Sequence, residues 1–131
     1  MKNKNVVISG SKSLYVEAKY WKKKFEDMGY TVLNYPHECD GNLEEAYKKY
    51  FEDIKNCDIF FLMNERKENI EGYIGASVFS ELTYAVMTNI VENKGIKILL
   101  LDMPSMVLFC YDEIIKWLDK GWIGFYKGEE L

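Results

Sequence analysis

Short apolar runs alternate with amphipathic helical segments along nearly the whole chain of 131 residues. The apolar runs are rich in β-branched and aromatic residues, which predicts strands over residues 5–10, 30–35, 57–64, 96–102 and 122–126. Between them, apolar residues recur at three- and four-residue steps, which predicts helices over residues 14–28, 43–56 and 111–120 and a further helix after Gly75. Gly29 is expected to end the first helix. Strands that alternate with helices in this way form a parallel sheet with helices on both faces.

Five such strands predict one α/β domain over residues 1–131, a three-layer flavodoxin-like or Rossmann-like sandwich with strand order 2-1-3-4-5. The apolar segments "IFFLM" and "ILLL" agree, because a central parallel strand is buried on both faces. Ligands of such sheets bind beyond the carboxyl ends of the strands, where the strand order reverses between the first and third strands. The residues expected at those ends are Ser9, Gly10, Ser11, Tyr35, Met63, Asn64 and Asp102.

Composition narrows the class of partner. The net charge of −4 disfavours nucleic acid, which would require a basic surface. Cys39, Cys57 and Cys110 are odd in number and lack metal-binding spacing, so we predict reduced thiols rather than a disulfide framework or a zinc site. Nothing resembles a signal peptide, and no apolar run approaches the roughly 20 residues of a membrane span. We therefore expect a soluble cytoplasmic protein without a membrane partner.

Several common functional sites lack their sequence motif. Neither G-x-G-x-x-G nor G-x-x-x-x-G-K-[ST] occurs, which argues against the usual dinucleotide and P-loop sites. His37 follows a proline in a predicted loop, no motif places a nucleophile beside it, and we interpret it as a bystander. Asn64 stands where a phospho-receiver domain would require an acid.

The segment "SGSKS", residues 9–13, joins the first predicted strand to the first predicted helix. Its glycine and serines leave backbone N–H groups and hydroxyls free at the positive end of that helix, where Lys12 adds a charge. The loop can therefore hold a phosphate or a ribose hydroxyl. Alternatively, it is a plain turn that needs glycine and an N-cap serine. The sequence leaves both interpretations open.

The segment "GYIGASVFSELTYAV", residues 72–86, places one carboxylate, Glu81, in an otherwise apolar and aromatic helix with Ser77 as the predicted N-cap. An early glutamate can simply favour the helix dipole and point to water. Two features favour an inward carboxylate instead. Gly72 and Gly75 indicate close approach to the backbone, and the apolar neighbours leave little hydrophilic face. An inward carboxylate at the end of an apolar cleft can act as a nucleophile toward an electrophilic sugar carbon.

The succession "CDIFFLMN … GYIGASVFSELTYAV … KILLLD" resembles the nucleoside 2-deoxyribosyltransferase-like superfamily, and most of all its small members with "VLN … NYIGGNTxxEMxFA … IFLL". The resemblance implies cleavage or exchange of an N-glycosidic bond at the anomeric carbon of a sugar. The glutamate that matches Glu81 would form a glycosyl-enzyme ester, which water or a second base resolves. Gly10 and Ser11 match a loop that contacts sugar or 5′-phosphate. The resemblance also implies a homodimer or larger assembly in which a neighbour completes each site, and the ten tyrosines suit such interfaces as well as pocket walls.

The chain departs from that pattern at the positions of several assisting groups. Val7 replaces a tyrosine of the first strand, and Gly75 replaces a polar residue six positions before the glutamate. Tyr50 stands where an aspartate is usual, eight residues before Asp58, and the nearby Asp53 is expected to face another way. The groups that orient the nucleophile and protonate the leaving base are therefore expected to be missing or relocated.

We predict from these observations a nucleoside or nucleotide N-glycosidase or deoxyribosyltransferase with Glu81 as nucleophile and with neither cofactor nor metal. One alternative is a non-catalytic nucleotide-binding module, a sensor or regulatory subunit of the same fold. An unrelated flavodoxin-like protein that binds FMN is a further alternative, although the first loop lacks a Ser/Thr-rich phosphate loop. The predicted substrate-binding residues are Ser9, Gly10, Ser11, Tyr15, Tyr50, Asn64, Gly75 and Ser77.

Overall fold

The computed structural model describes residues 3–37 and 41–128, so the predicted reduced thiol of Cys39 lies outside the described residues. A 3-10 turn, Lys12–Leu14, precedes the first helix. The strands are β1 (Asn5–Ser9), β2 (Thr31–Asn34), β3 (Ile59–Leu62), β4 (Lys97–Leu100) and β5 (Gly124–Phe125). The helices are α1 (Tyr15–Asp27), α2 (Leu43–Lys55), α3 (Ala76–Glu92) and α4 (Tyr111–Asp119).

The five strands form one parallel sheet in the order β2-β1-β3-β4-β5, with helices on both sides, which confirms the predicted α/β flavodoxin-like architecture. Each pair of neighbouring strands is parallel because a helix lies between every two successive strands and carries the chain back to the starting edge. The strand order reverses between β1 and β3, so the carboxyl ends of these strands border the crevice where ligands of such sheets bind.

Alternate residues of the central strands enter two separate apolar layers. Phe60, Leu62 and Leu100 pack beneath α2, α3 and α4. Ile8, Phe61 and Met63 pack beneath α1, together with Trp21 and Phe25. All four residues of β3 are buried, as expected for a strand at the centre of a parallel sheet. These two layers fix the position of β1, whose last residue, Ser9, has no exposed surface.

One of the two helix ends predicted from the sequence is confirmed, and the other differs in the structure. Gly29 has a φ of +95° just beyond α1, so it ends that helix as expected. The prediction that Ser77 is the N-cap of α3 is wrong, because Gly75 has the extended N-cap conformation and the helix begins at Ala76. Glu81 is therefore the sixth residue of α3, two positions further into the helix than the predicted cap implied.

Contacts within the chain itself require a glycine at position 72. Its φ is +60°, and a Cβ atom at this position would lie 2.3 Å from the carbonyl oxygen of Met103. The close approach to Gly72 therefore comes from the loop after β4, and no bound molecule is needed to explain it.

We expect Gly72→Ala to lower the free energy of unfolding by about 2 kcal/mol, since both the left-handed backbone and the clash disfavour a side chain. Urea unfolding followed by circular dichroism measures this loss. Gly95→Ala is the matched control, because a methyl group there would meet nothing within 4 Å. Equal stability of the two variants would contradict the proposed role of Gly72.

Candidate active site

A cavity of about 680 Å³ opens at the carboxyl edge of the sheet, between the loop after β1, the end of β2, α2 and the first turns of α3. Its size lies in the range of sites that bind small molecules. The position agrees with the rule for sheets of this strand order, which places ligands beside the reversal point. Of the predicted site residues, the cavity is lined by Gly10, Ser11, Tyr50, Gly75, Ser77 and Glu81.

Glu81 brings its carboxylate to the floor of this cavity. The side chain is partly buried, and its Oε1 accepts a hydrogen bond of 2.5 Å from the hydroxyl of Ser9. Within the described part of the chain, its Oε2 accepts no hydrogen bond. Burial raises the pKa of Glu81 to about 7, while the Ser9 hydrogen bond and the positive charge of Lys12 act in the opposite direction. Near neutral pH the carboxyl group is therefore poised between its neutral and charged forms.

Positive charge collects where the loop after β1 meets the loop before α3. The ammonium group of Lys67 donates to the hydroxyl of Ser11 at 2.7 Å and lies 5.1 Å from the ring centre of Tyr73. Lys12 lines the same cavity. Neither lysine has an acidic partner within 4 Å among residues 3–37 and 41–128. The first turn of α3 adds the positive end of a helix without an acidic residue or a side-chain cap. This end of the cavity is suited to an anionic group.

The wall formed by α2 carries Tyr50. Its hydroxyl donates to the backbone carbonyl of Ile8. Burial, followed by the nearby charge of Glu81, raises the pKa of Tyr50 well above its usual value. Tyr50 therefore stays neutral at ordinary pH, with its proton held by β1, and acts as a fixed wall of the cavity.

Asp53 lies one turn after Tyr50 and is 6% exposed. As expected, it does not line the cavity as Tyr50 does. Its carboxylate accepts hydrogen bonds of 2.9 Å from the amide of Asn34 and from the ammonium group of Lys49, and both partners line the cavity. An acid is thus present one turn from position 50, but each oxygen of its carboxylate already accepts a hydrogen bond.

Three predicted site residues lie outside the cavity lining. Asn64 is 1% exposed, and its amide group bonds the backbone of Gly72, Leu101 and Asp102, so it links the loops after β3 and β4. The lining after β1 ends at Lys12, and Tyr15 begins α1 beyond it, with the ammonium group of Lys19 5.9 Å from its ring centre. Ser9 lies beneath Glu81 with no exposed surface.

The residue of this site most clearly missed by sequence reasoning is Lys67. The loop between β3 and α3 appears in the sequence only as a polar segment. In the structure Lys67 and Ile70 pair across a tight turn in which Glu68 and Asn69 have φ angles of 53° and 63°. The only local signal for this turn is Asn69, a residue type that tolerates the left-handed conformation. His37, interpreted as a bystander, also lines the cavity.

Within residues 3–37 and 41–128, no group of three or more His, Cys, Asp or Glu side chains could hold a metal ion. In the same ranges no helix combines the length and apolar character needed to cross a bilayer.

Cys57 and Cys110 are free and buried, and burial raises the pKa of both thiols, that of Cys57 to about 12. The predicted homo-oligomer and the cytoplasmic location stay predictions.

The fold is shared with a protein of known structure. The structure of Clostridium botulinum CMP N-glycosidase, BcmB, aligns with 96% of this chain and 91% of its own, with a TM-score of 0.59 and 18% sequence identity. Identity this low establishes a common fold and no more. No family model matches the sequence. No curated protein matches it either.

Proposed function

We propose that this protein cleaves the N-glycosidic bond of a nucleotide, with Glu81 as the nucleophile. The single observation that carries the proposal is the Glu81 carboxylate, which is partly buried at the cavity floor and held by Ser9 through one oxygen. The fold shared with a CMP N-glycosidase supports the same reaction class. A carboxylate in such a setting can form a covalent bond to an anomeric carbon.

The proposed reaction has two displacement steps. First, Oε2 of Glu81 attacks the anomeric carbon, the carbon–nitrogen bond breaks, and its electron pair leaves with the base, which takes up a proton from water. The product is a glycosyl ester of Glu81. Second, water attacks the same carbon and loses a proton to solvent, which releases the sugar phosphate and restores the carboxylate. A second base in place of water would give deoxyribosyl transfer.

The positive end of the cavity supports a nucleotide substrate over a nucleoside. Lys12, Lys67 and Ser11 offer two charges and a hydroxyl, and the first turn of α3 offers free N–H groups close by. A phosphate monoester carries nearly two negative charges at neutral pH and accepts several charge-assisted hydrogen bonds. We therefore place the 5′-phosphate at this end and the anomeric carbon over Glu81.

The direct test is to incubate the purified protein with CMP, dCMP and the other common nucleoside monophosphates. Free base, separated by chromatography, is the expected product. The absence of base release from all of them would contradict the enzymatic proposal.

A non-catalytic nucleotide-binding module is the second candidate. It is favoured because two nearby groups that could protonate a leaving base, Tyr50 in the cavity wall and Asp53 one turn behind it, are already hydrogen-bonded within the protein. The hydroxyl of Tyr50 is bonded to the backbone, and the carboxylate of Asp53 is bonded to Asn34 and Lys49. A rise in melting temperature with nucleotides, without base release, would identify this function, because a ligand that prefers the native state stabilises it. A yellow protein after purification would instead point to a bound flavin.

A further inference from the structure

Ser9 holds a hydroxyl in a fixed position beneath the cavity. It is the last residue of β1 and pairs with Leu62 of β3, and its carbonyl oxygen accepts a hydrogen bond of 2.7 Å from the backbone of Met63. With no exposed surface, the side chain cannot adjust toward solvent. Its hydroxyl lies 2.5 Å from Oε1 of Glu81, a residue 72 positions away in sequence. The sheet therefore determines where one carboxylate oxygen of Glu81 can lie.

We infer that Ser9 is a positioning residue, which binds Oε1 of Glu81 so that Oε2 is left free to face the cavity. The inference rests on the proposed function for its catalytic meaning. It also assigns Ser9 a role different from the substrate contact predicted from sequence, because a residue outside the cavity lining cannot contact the substrate. Val7, two residues earlier on the same face of β1, carries no hydroxyl and is buried in the core.

The Ser9 hydrogen bond also favours the charged form of the nucleophile. A hydroxyl that donates to a carboxylate stabilises the anion, and here it opposes the burial that raises the pKa of Glu81. Lys12, from the loop after β1, acts in the same direction. Tyr50 faces Glu81 from α2 and stays neutral. The other charged or titratable side chains that line the cavity are those of Glu45, Lys49, Lys67, Tyr73, Tyr47, Tyr35 and His37.

The test compares Ser9→Ala with Ser80→Ala. Ser80 adjoins Glu81 on α3, but its hydroxyl bonds the carbonyl of Ala76 in its own helix, so this control should behave as the wild type. The carboxyl carbon of Glu81 is titrated by NMR with ¹³C-labelled glutamate, and Glu81→Gln identifies its signal. In Ser9→Ala the pKa of Glu81 should rise further, because one stabilising donor is lost while burial remains.

Activity provides a second readout that a merely structural role would not change. For Ser9→Ala we expect kcat for base release at pH 6 to fall about tenfold, with KM unchanged. The acid limb of the pH–rate profile should move to higher pH. Ser9→Thr, which keeps the hydroxyl, should retain a wild-type pKa for Glu81 and a wild-type profile. If Ser9→Thr unfolds, Ser9→Cys, a weaker donor of similar size, should give intermediate values.

The outcomes separate this inference from the proposed function. An unchanged pKa of Glu81 in folded Ser9→Ala would overturn the inference whether or not the protein releases base. A raised KM with unchanged kcat would also overturn it, since that result marks substrate binding. If the wild type releases no base but Ser9→Ala raises the pKa of Glu81, the contact is supported and the enzymatic proposal is rejected.

Discussion

Glu81→Gln is expected to lower kcat for base release from a nucleoside monophosphate by about a thousandfold or more, with little change in KM. The amide is nearly the same size as the carboxylate and can still accept the Ser9 hydrogen bond. It cannot form the glycosyl ester, however, so the covalent route is lost while binding is retained. Steady-state kinetics give both constants. Mass spectrometry of the wild type with a slow substrate should find the sugar phosphate on the peptide that contains Glu81.

Glu92→Gln is the matched control for this prediction. Glu92 also lies on α3, but its exposed carboxylate pairs with Lys55 at 3.7 Å, away from the cavity, so its replacement should leave kcat unchanged. Base release by Glu81→Gln at more than a tenth of the wild-type rate would reject Glu81 as the nucleophile. Equal losses in both variants would indicate damage to the helix.

Stability measurements show whether the Glu81→Gln variant is folded. Burial raises the pKa of Glu81 from 4.5 to about 7, so the native state binds this proton more tightly than the unfolded chain does. The resulting stabilisation is fully present below pH 4.5 and is lost as the pH rises through 7. Glutamine does not titrate. The variant should therefore melt at a higher temperature than the wild type at pH 8, and the difference should shrink toward pH 5.

Lys67→Met is expected to lower kcat/KM for a nucleoside monophosphate by about a hundredfold, because the variant loses one strong charge-assisted hydrogen bond to the phosphate. Methionine keeps an apolar stem of similar length near the ring of Tyr73, so the loop should keep its shape. The corresponding nucleoside has no phosphate, and its much lower kcat/KM should not change. Parallel kinetics with the two substrates measure the difference.

Lys94→Met tests whether any loss of charge has the same effect. The ammonium group of Lys94 bonds the carbonyl of Lys55 on the surface, and the residue does not line the cavity, so its replacement should alter neither rate. An equal fall for nucleotide and nucleoside in Lys67→Met would mean that Lys67 supports the loop and does not bind phosphate. No fall for either substrate would place the phosphate elsewhere.

The architecture follows from local patterns in the chain. Alternating apolar strands and amphipathic helices leave few solutions for a chain of this size, and the parallel order β2-β1-β3-β4-β5 is one of them. Gly29 ends α1 because its backbone adopts the left-handed conformation, which depends on this one residue and not on distant contacts. The apolar neighbours of Glu81 favour an inward carboxylate, although the sequence alone also allows one that points to water.

Long-range contacts decided the rest of the site. Asn64 lies two residues after β3, where a ligand-binding residue would lie, yet its amide group is hydrogen-bonded to the backbone of Gly72, Leu101 and Asp102. Lys67 reaches Ser11 across 56 positions, and Ser9 reaches Glu81 across 72.

By itself, then, the sequence determined the layers, the strand order and the edge of the sheet where a ligand would bind, because these follow from periodicity and from the handedness of short connections. Only the tertiary structure decided which polar groups face the cavity and which form hydrogen bonds with the backbone. A side chain's hydrogen-bonding partner is set by distances that arise after the layers have packed, and spacing along the chain does not encode them.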